Sequence, residues 1–573
     1  MADIKLTING KECTAPEGST ILQAAELNGI HIPKLCYLEG INQYGACRIC
    51  VVEQVSPPAK NLQASCMVEA KNGMVINTNN ERVQEARRTM YELLLSNHDK
   101  KCLTCPRNQD CEFQALGREL GVEDSPYEGE RILKPIDVSE SLTRDPNKCI
   151  LCRRCVNVCK NIQTTSILTA ENRGFQTIIT PGFGLPIGNT ACTFCGQCVV
   201  VCPVGALRET SHKDRVLKAL NDPTKHVVVQ PAPAVRVGIG ECFGLPAGSC
   251  ETGKLAAALR RMGFDEVFDT NWGADLTIME EGTEFLSRFR SVITGGVAEL
   301  PMLTSCSPGW IQFIEHNFPD ELDHLSSCKS PHQMQGAIIK SYYAEKNGID
   351  PKDIFVVSIM PCTAKKMEAQ REEFKRGGVP DIDWVMTTKE LIQMIEESGI
   401  VFKELEPEAV DMPFGVTSGA GVIFGVSGGV TEAVIRRLSD DKSIGSLKAI
   451  AFTGVRGLEG VKETEIPYGD RTLKIAIASG LGHAEALITA IQKGEKQYDF
   501  VEVMACPTGC IGGAGQPFSQ FEAKKRRSKG LYEADRLSSV KCAEENPTIM
   551  SLYSGILKGR VHELLHVSYT DKE

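Results

Sequence analysis

Cysteine supplies most of the chemistry available to this chain. It contributes 24 of the 573 residues, and most of these residues fall into tight clusters. The first residues, Met-Ala-Asp-Ile-Lys-Leu, lack the basic and then apolar pattern of a signal peptide, so a cytoplasmic location is expected. Because thiols stay reduced in the cytoplasm, clustered cysteines predict metal sites rather than disulfides.

The most specific signal is a C-x2-C-x2-C-x3-C spacing, which occurs at residues 149–159 and again at 192–202. In such a run three thiolates bind one 4Fe–4S cluster and the fourth binds the neighbouring cluster. The predicted ligands are Cys149, Cys152, Cys155 and Cys202 for the first cluster, and Cys192, Cys195, Cys198 and Cys159 for the second. These clusters move single electrons, so another site must carry the chemistry.

A separate set of four thiols lies nearer the start of the chain and consists of Cys36, Cys47, Cys50 and Cys66. The loop around Gly45 is rich in small residues, which let backbone N–H groups approach the sulfurs. One tight C-x2-C pair with two outlying cysteines favours a plant-ferredoxin-like 2Fe–2S cluster. A structural zinc site is the alternative.

A fourth cluster motif has the spacing H-x3-C-x2-C-x5-C and consists of His98, Cys102, Cys105 and Cys111. The i, i+4 step would place His98 and Cys102 on one face of a helix. We favour a 4Fe–4S cluster here. A zinc site of three cysteines and one histidine, or a cluster held by the cysteines alone, is the alternative.

Three further motifs lie in the second half of the chain: TSCSPGW at 304–310, MPCTAKKME at 360–368 and EVMACPTGC at 502–510. Cys362 and Cys506 each follow an apolar, strand-like run, which is where α/β proteins place their ligand sites. Together with Cys306 and Cys510 they could cage one more 4Fe–4S cube.

These cysteines require several structural units to position them. The first dozen residues alternate apolar and polar before Asn9-Gly10, which predicts a hairpin, and Ser19 or Thr20 can cap a helix that stops near Gly29. We therefore predict a small α+β, ferredoxin-like domain at 1–80, a helical domain with the His98 motif at 81–125, and a ferredoxin-like domain with two 4Fe–4S clusters at 135–210.

Beyond residue 210 the pattern changes. Apolar strand-like runs alternate with helical patterns, and the runs lie at 226–230, 354–360, 473–478 and 500–505. This alternation predicts a large α/β domain over 211–573, so the fold class is multidomain α+β and α/β.

Net charge excludes two classes of partner. The chain has 63 Lys and Arg against 73 Asp and Glu, a formal net charge of −10. It has no apolar run of the roughly 18–20 residues that a membrane span needs. We therefore expect neither a nucleic-acid nor a membrane partner.

The whole chain, with its cluster motifs in this order, resembles the iron-only (FeFe) hydrogenases of the clostridial, multi-cluster type. The resemblance implies that 211–573 is a hydrogenase domain that catalyses 2H⁺ + 2e⁻ ⇌ H2. The implied cofactor is the H-cluster, a 4Fe–4S cube joined to a two-iron unit with CO, cyanide and azadithiolate ligands. Electrons would pass through one 2Fe–2S and three 4Fe–4S accessory clusters to ferredoxin or a similar carrier, and maturation proteins would supply the two-iron unit.

The resemblance also implies individual roles. Cys362, Cys506 and Cys510 correspond to cube ligands, with Cys510 bridging to the two-iron unit, and Lys365 corresponds to a lysine that bonds a cyanide ligand. The residues that would surround the two-iron unit are Met360, Met504, Phe424, Pro233 and Ala234. Ala234 replaces a serine of the family pattern and would lack its hydroxyl donor.

The first motif departs from the family pattern, in which two adjacent cysteines follow Thr-Ser. Strict alignment puts Cys306 at the proton-relay position and Ser307 at the ligand position. Because serine is a poor ligand for such a cube, we favour Cys306 as the fourth ligand after a small shift of the loop. Ligation by Ser307 with Cys306 as the relay, or a cube held by three cysteines, is the alternative.

Proton transfer has its own candidates. Glu281, Glu284 and Arg288 lie at i, i+3 and i+7, on one stripe of a helix, and they correspond to the outer proton path of the family. Ser326 would be a stepping hydroxyl. Cys328 could supply the relay thiol if Cys306 binds iron, and a buried packing role is the alternative.

Three other functions compete with a catalytic hydrogenase. They are a sensory or low-turnover hydrogenase, a non-catalytic electron-transfer subunit like that of NADH dehydrogenases, and an iron–sulfur assembly scaffold. The intact lysine motif argues against the scaffold.

Overall fold

The computed structural model of the protein describes residues 3–56, 61–130, 132–439, 441–458, 460–518 and 521–569. The N-terminal module contains a five-stranded sheet. Its strands, in sheet order, are Lys11–Pro16, Asp3–Ile8, Val75–Asn77, Val51–Ser56 and Asn61–Ala64. The predicted hairpin is confirmed, with Asn9 and Gly10 at positive φ (52° and 79°), as a tight hairpin turn requires. The predicted helix is Ile21–Leu27, and the Thr20 side chain accepts a hydrogen bond from the backbone N–H of Gln23.

The second module consists mainly of two helices, Glu81–Ser96 and Glu112–Leu120. The prediction that His98 and Cys102 share one helical face was wrong. Asn97 already takes a non-helical conformation and ends the first helix, so His98 lies in the following turn and Cys102 starts a short 3-10 turn. Asparagine favours helix ends because its side chain competes for backbone hydrogen bonds.

The third module shows the internal repeat in its backbone. The short helices Arg154–Asn157 and Gln197–Val200 start at equivalent points of the two cysteine runs, and Arg153 and Gly196 before them both take positive φ (63° and 68°). Around these helices lie the strands Asp137–Val138, Leu142–Arg144 and Leu207–Glu209, and the hairpin of Leu168–Glu171 with Ile178–Pro181.

The large domain contains two four-stranded sheets. The first is fully parallel, in the order Glu266–Val267, His226–Pro231, Ile354–Met360 and Trp384–Thr387. The second has the order Met302–Leu303, Phe500–Met504, Arg471–Ser479 and Val461–Tyr468, with only the last pair antiparallel. All four predicted strand runs are confirmed, and the α/β prediction with them. A small two-stranded ribbon pairs Lys375–Arg376 with Val379–Pro380.

Helices cover these sheets. They are Lys213–Leu220, Thr252–Arg261, Thr270–Ile293, Pro308–Asn317, Pro331–Ile338, Ala344–Asn347, Ala364–Glu368, Thr388–Glu397, Gly419–Val422, Gly429–Leu438, Ile444–Ile450, Leu481–Gln492, Phe521–Leu537, Pro547–Ser554 and Val561–Leu565. The long Thr270–Ile293 helix is buried over most of its first half, and it carries Glu281, Glu284 and Arg288. Within the described ranges, no helix is both long and apolar enough to span a bilayer.

Candidate active site

The three cysteine motifs of the large domain meet at one cavity. Cys362 follows the Ile354–Met360 strand, and Cys506 follows the Phe500–Met504 strand. These strands belong to different sheets, yet their carboxyl ends open on the same space. Cys306 and Cys510 also line the cavity, so the structure brings all four cysteines together.

Glycines let the loop that carries Cys510 pack closely against its neighbours. Gly509 has a φ of +80°, and a Cβ atom there would lie 2.6 Å from the backbone nitrogen of Ser427. A Cβ atom on Gly513 would lie 2.1 Å from the backbone oxygen of Pro361. Because no side chain fits at either position, the backbone holds Cys510 at the edge of the cavity.

The electrostatics of the thiols fit a metal cluster. Burial raises the pKa of Cys362, Cys506 and Cys510, the last to about 12. The charge of Cys362 raises the pKa of both other thiols further. Thiols in this environment become thiolates when a metal ion replaces their protons, so the residues present fit an iron–sulfur cube.

Lys365 is buried at the cavity wall. Its Nζ donates hydrogen bonds to the backbone oxygen of Cys306 (3.2 Å) and to Oε2 of Glu368 (2.8 Å). Burial opposes ionisation of Glu368, but Lys365 and His332 together lower the pKa of that carboxyl to about 2. Glu368 therefore provides the anionic partner that a buried ammonium needs.

Cys306 and Ser307 differ in their surroundings. The Ser307 Oγ accepts a hydrogen bond from the backbone N–H of Ala505 (3.2 Å), directly before Cys506. Burial raises the pKa of Cys306, and the charge of Glu281 is the next largest cause. Ser307 thus contacts the loop of Cys506, whereas Cys306 interacts electrostatically with Glu281.

The remaining cavity residues named from the sequence also lie there: Pro233, Ala234, Met360, Phe424 and Met504. His332 lines the cavity as well and was missed by sequence reasoning. Its Nδ1 is 3.1 Å from Oγ of Ser358, and its Nε2 bonds Glu368, so it belongs to the same polar group as Lys365.

Family models and relatives identify this arrangement. Residues 225–514 match the model described as iron only hydrogenase large subunit, C-terminal domain. Over 100% of both chains the sequence is 47% identical to the NADP-reducing hydrogenase subunit HndD of Solidesulfovibrio fructosivorans. It is 40% identical to iron hydrogenase 1 of Clostridium pasteurianum, over 98% of this chain and 99% of the relative. The chain belongs to the iron-only hydrogenase family.

Other parts of the hydrogenase match models of their own. These are a 2Fe-2S iron-sulfur cluster binding domain (1–81), the NADH-ubiquinone oxidoreductase-G iron-sulfur binding region (87–126), a 4Fe-4S dicluster domain (148–206) and the iron hydrogenase small subunit (521–572). Among solved structures, the FeFe-hydrogenase HydA1 of Chlamydomonas reinhardtii is similar, with 43% identity and a TM-score of 0.55 over 63% of this chain and 99% of that chain. The protein is an oxidoreductase that acts on H2 and carries accessory iron–sulfur domains.

A line of polar groups leads from the cavity that Cys306 lines along the Thr270–Ile293 helix. Burial and then the charge of Glu284 raise the pKa of the fully buried Glu281 to about 8. The Ser326 hydroxyl donates to Oε2 of Glu284 (3.0 Å). Arg288 donates to Oε1 of Glu284 (2.6 Å) and is partly exposed to solvent.

Cys328 lies beside this line and is fully buried. Its Sγ is 3.6 Å from Oε2 of Glu284. Burial, followed by the charges of Glu284 and Glu281, raises its pKa well above the usual range.

Two residues beside Cys328 were not singled out from the sequence. His566 comes from the last described segment, and its Nε2 is 3.1 Å from Oε2 of Glu280. The Tyr553 hydroxyl donates a short hydrogen bond to the same carboxylate. No local signal reveals His566, because it is 239 residues along the chain from its neighbour Ser327.

The accessory cysteines of the hydrogenase also assemble into groups. Cys149, Cys152, Cys155 and Cys202 line one cavity, and His98, Cys102, Cys105 and Cys111 line another. Cys159, Cys192, Cys195 and Cys198 lie close enough for their charges to raise the pKa of Cys192 and Cys198, beyond the larger effect of burial.

The thiols of the first module lie in two close pairs. Sγ of Cys36 is 3.3 Å from Sγ of Cys47. Hydrogen bonds from Cys47 and Cys66 lower the pKa of Cys36 and Cys50, respectively, to about 6. All four side chains are buried.

The cysteine groups are connected in space. The charge of Cys198 acts on Cys155, which links the two groups of the third module. Cys195 lines the cavity of the large domain, and its backbone oxygen is 4.0 Å from Sγ of Cys506. Of the remaining cysteines, Cys13 and Cys542 are buried, whereas Cys242 and Cys250 are exposed.

Proposed function

We propose that the hydrogenase interconverts protons and H2 (2H⁺ + 2e⁻ ⇌ H2) at an H-cluster held by Cys362, Cys506 and Cys510. One observation carries this proposal: three cysteine motifs meet beside the buried Lys365, next to a connected series of cysteine groups. The proposed cofactor is a 4Fe–4S cube bridged through Cys510 to a two-iron unit with CO, cyanide and azadithiolate ligands. When bound, this group supplies the redox-active irons at which electrons and protons combine.

The protein would hold and shield the two-iron unit. We assign the Lys365 ammonium to a cyanide ligand, with Glu368 keeping the side chain in place through its 2.8 Å hydrogen bond. The residues that would exclude water around the unit are Met360, Met504, Phe424, Pro233 and Ala234. Ala234 donates no side-chain hydrogen bond, which would alter the electronic tuning of the unit.

The fourth position of the cube is proposed to face Ser307 rather than Cys306. The sequence favours Cys306 as the ligand, but that assignment needs a shift of the loop. The hydrogen bond from the Ala505 N–H to the Ser307 Oγ supports the unshifted loop, and the electrostatic coupling between Cys306 and Glu281 supports a relay role for that thiol.

Protons would then travel between Cys306 and the surface. The proposed order is Cys306, Glu281, Ser326, Glu284 and Arg288. Cys328 would be a second stepping group beside Ser326, since its thiol contacts the same oxygen of Glu284.

Electrons would use one 2Fe–2S and three 4Fe–4S clusters in domains at 1–80, 81–125 and 135–210, with 211–573 as the catalytic domain. The ligands are those predicted from the cysteine spacing, including His98. The electron partner is proposed to be ferredoxin or a similar carrier, or a partner subunit, because the relative HndD is named as a subunit of an NADP-reducing hydrogenase. Maturation proteins would deliver the two-iron unit. The cytoplasmic location stays a prediction.

A sensory or low-turnover hydrogenase is the second candidate. Ser307 at the ligand position and Ala234 at the cavity wall favour it, because both remove groups that the family pattern supplies. Turnover of the matured protein in both directions separates it from a high-turnover enzyme.

The test uses protein matured with the two-iron unit. We expect infrared bands from metal-bound CO and cyanide, and H2 activity in both directions. Cys306→Ala and Glu281→Gln should keep the bands and the iron while losing turnover by about 100-fold or more, because each removes a proton-transfer group. Ser307→Cys should keep all iron.

The matched control is Cys250→Ala, which changes an exposed cysteine and should behave like the parent protein. Loss of cube iron in Cys306→Ala would return the ligand role to that residue. Absence of CO and cyanide bands after competent maturation would contradict the proposed H-cluster.

A further inference from the structure

A compact group of metal-ligating side chains lies beside the proposed proton path, outside the cysteine clusters. Glu284, Cys328 and His566 each offer one ligand atom, and these atoms lie within 4.8 Å of one another. The side chains of Glu284 and His566 are only 13% and 9% exposed, and Cys328 is fully buried. We propose that these three residues bind a zinc-like divalent cation, and that the bound cation blocks proton transfer through Glu284.

The main chain fixes two of the three ligands. Cys328 and His566 are opposite each other in an antiparallel β-bridge. Backbone hydrogen bonds flank the bridge, from Lys329 N–H to the Leu565 oxygen (2.9 Å) and from Val567 N–H to the Ser327 oxygen (2.8 Å). The backbone around Cys328 and His566 is therefore already ordered before a cation binds. Such preorganisation strengthens binding, because less conformational entropy is lost.

The third ligand is correctly spaced. Oε2 of Glu284 is 3.6 Å from Sγ of Cys328. Tetrahedral zinc, with Zn–S near 2.3 Å and Zn–O near 2.1 Å, separates sulfur and oxygen ligands by about 3.6 Å. Arg288 uses the other oxygen of Glu284, so the ion pair and the metal bond do not compete for one atom. Oε2 accepts hydrogen bonds from the Ser326 hydroxyl (3.0 Å) and the Ser327 N–H (3.1 Å). Because that N–H lies equally close to Oε1 (3.1 Å), it can stay bonded there when a cation takes the lone pair on Oε2.

The histidine is oriented as metal-binding histidines are. Such a histidine usually donates its second ring N–H to a carboxylate, which fixes the tautomer. Nε2 of His566 is 3.1 Å from Oε2 of Glu280, and Tyr553 holds that carboxylate in turn. Nδ1 then presents its lone pair, which now accepts a hydrogen bond from the Ser327 hydroxyl at 2.8 Å. A cation would take the place of that hydroxyl proton.

The donor set selects the class of metal. Thiolate, imidazole and carboxylate suit zinc and similar transition metals, whereas magnesium and calcium prefer oxygen ligands alone. On binding, the Cys328 thiol releases its proton to solvent and a metal–sulfur bond forms, and no electron is transferred. One coordination position remains for water.

The blocking role rests on the proposed proton path. Cys328 and Oε2 of Glu284 would both be occupied by the metal, so neither could accept or pass a proton. Cation binding itself does not depend on that path, so the two parts can be tested separately.

The binding test uses matured, iron-loaded protein under anaerobic conditions with one equivalent of zinc sulfate. We expect one zinc ion per chain after desalting, and a zinc X-ray absorption spectrum with one sulfur at about 2.3 Å and nitrogen or oxygen at about 2.0–2.2 Å. Cys328→Ala and His566→Asn should each weaken zinc binding at least tenfold. The exposed-cysteine control Cys250→Ala should bind zinc as the parent does. Iron content equal to that of the parent shows that each variant has folded.

Equal zinc binding by the parent, Cys328→Ala and His566→Asn would overturn the site.

The second experiment tests the blocking role. Zinc should inhibit H2 turnover of the parent and of Cys250→Ala, and a chelator should reverse the inhibition. His566→Asn should not be inhibited relative to its own zinc-free rate. Bound zinc without inhibition of the parent would overturn the blocking role. Absence of H2 turnover before zinc is added would count against the proposed function and leave the binding result standing.

Discussion

Glu281 is a fully buried carboxyl group whose environment favours its neutral form. Among the described residues, neither of its carboxylate oxygens has a hydrogen-bond partner within the usual distance. Burial and the negative charge of Glu284 therefore raise its pKa from the ordinary 4.5 to about 8. A carboxyl group with a pKa in this range can both hold and release a proton near neutral pH, which suits a relay.

The raised pKa of Glu281 predicts a pH-dependent change in stability. The folded protein keeps a proton that the unfolded chain releases, so the free energy of unfolding falls as pH rises from about 4.5 to about 8. Glu281→Gln has no such proton. We expect the melting temperature of the variant, relative to the parent, to rise by a few degrees between about pH 5 and about pH 9. A constant difference, measured by calorimetry at both pH values, would contradict a neutral Glu281 in the folded protein.

At the scale of elements, one strand and one helix together fix the loop that carries Cys510. Glu502 on the Phe500–Met504 strand accepts hydrogen bonds from the backbone N–H groups of Gly428 (2.6 Å) and Thr431 (2.8 Å). A carboxylate at this position stabilises the N-terminus of the Gly429–Leu438 helix. The segment just before the helix then packs against Gly509, which leaves no room for a Cβ atom there.

Gly509→Ala should therefore displace Cys510. The new Cβ atom would lie 2.6 Å from the backbone nitrogen of Ser427, which cannot move aside as a side chain could. The φ of +80° at Gly509 is also unfavourable for alanine. We expect loss of the cube iron and of the CO and cyanide bands, while iron in the accessory clusters is retained. The iron content per chain measures the loss of cube iron and the retention of accessory iron, and infrared spectroscopy measures the CO and cyanide bands.

The matched control for this loop is Gly494→Ala. Gly494 also has a positive φ (+70°), but nothing lies within 4 Å of the position that a Cβ atom would take there. Gly494→Ala should lower the free energy of unfolding only by the backbone strain of alanine at this φ, about 1 kcal/mol. The variant should keep all its iron. Full cube iron in Gly509→Ala would show that the loop tolerates the displacement.

The accuracy of sequence-based prediction differs from one structural element to another. The Ile354–Met360 strand was predicted to the residue, because a continuous apolar run marks a strand buried on both faces. The two-residue strands Glu266–Val267 and Met302–Leu303 gave no pattern, so the division into two sheets could not be predicted. Cysteine spacing predicted the cavity cysteines and the family resemblance predicted the other cavity residues named from the sequence, whereas His566 reaches Cys328 only through tertiary packing.

At the scale of the whole molecule, Arg154 joins three accessory modules. Its side chain is 4% exposed, and its guanidinium donates two hydrogen bonds of 2.8 Å to Glu112 of the second module. It also donates to the backbone oxygens of Leu35 in the first module and Val201 in the third. A planar, five-donor guanidinium is the side chain best able to satisfy acceptors in several directions at once.

Replacing Arg154 should separate the first module from the others. Arg154→Met keeps the apolar stem but leaves the Leu35 oxygen and Glu112 without their donor, at a cost of about 2 kcal/mol. We expect calorimetry to show an early transition of the first module that the parent lacks. We also expect the 2Fe–2S cluster to be reduced more slowly under H2. Rapid-freeze electron paramagnetic resonance measures this rate. Arg173→Met, at an exposed arginine, should match the parent in both measurements. A single transition at the parental temperature with an unchanged reduction rate would show that the modules dock without Arg154, through contacts such as the 3.1 Å hydrogen bond from Asn42 to the Cys152 oxygen.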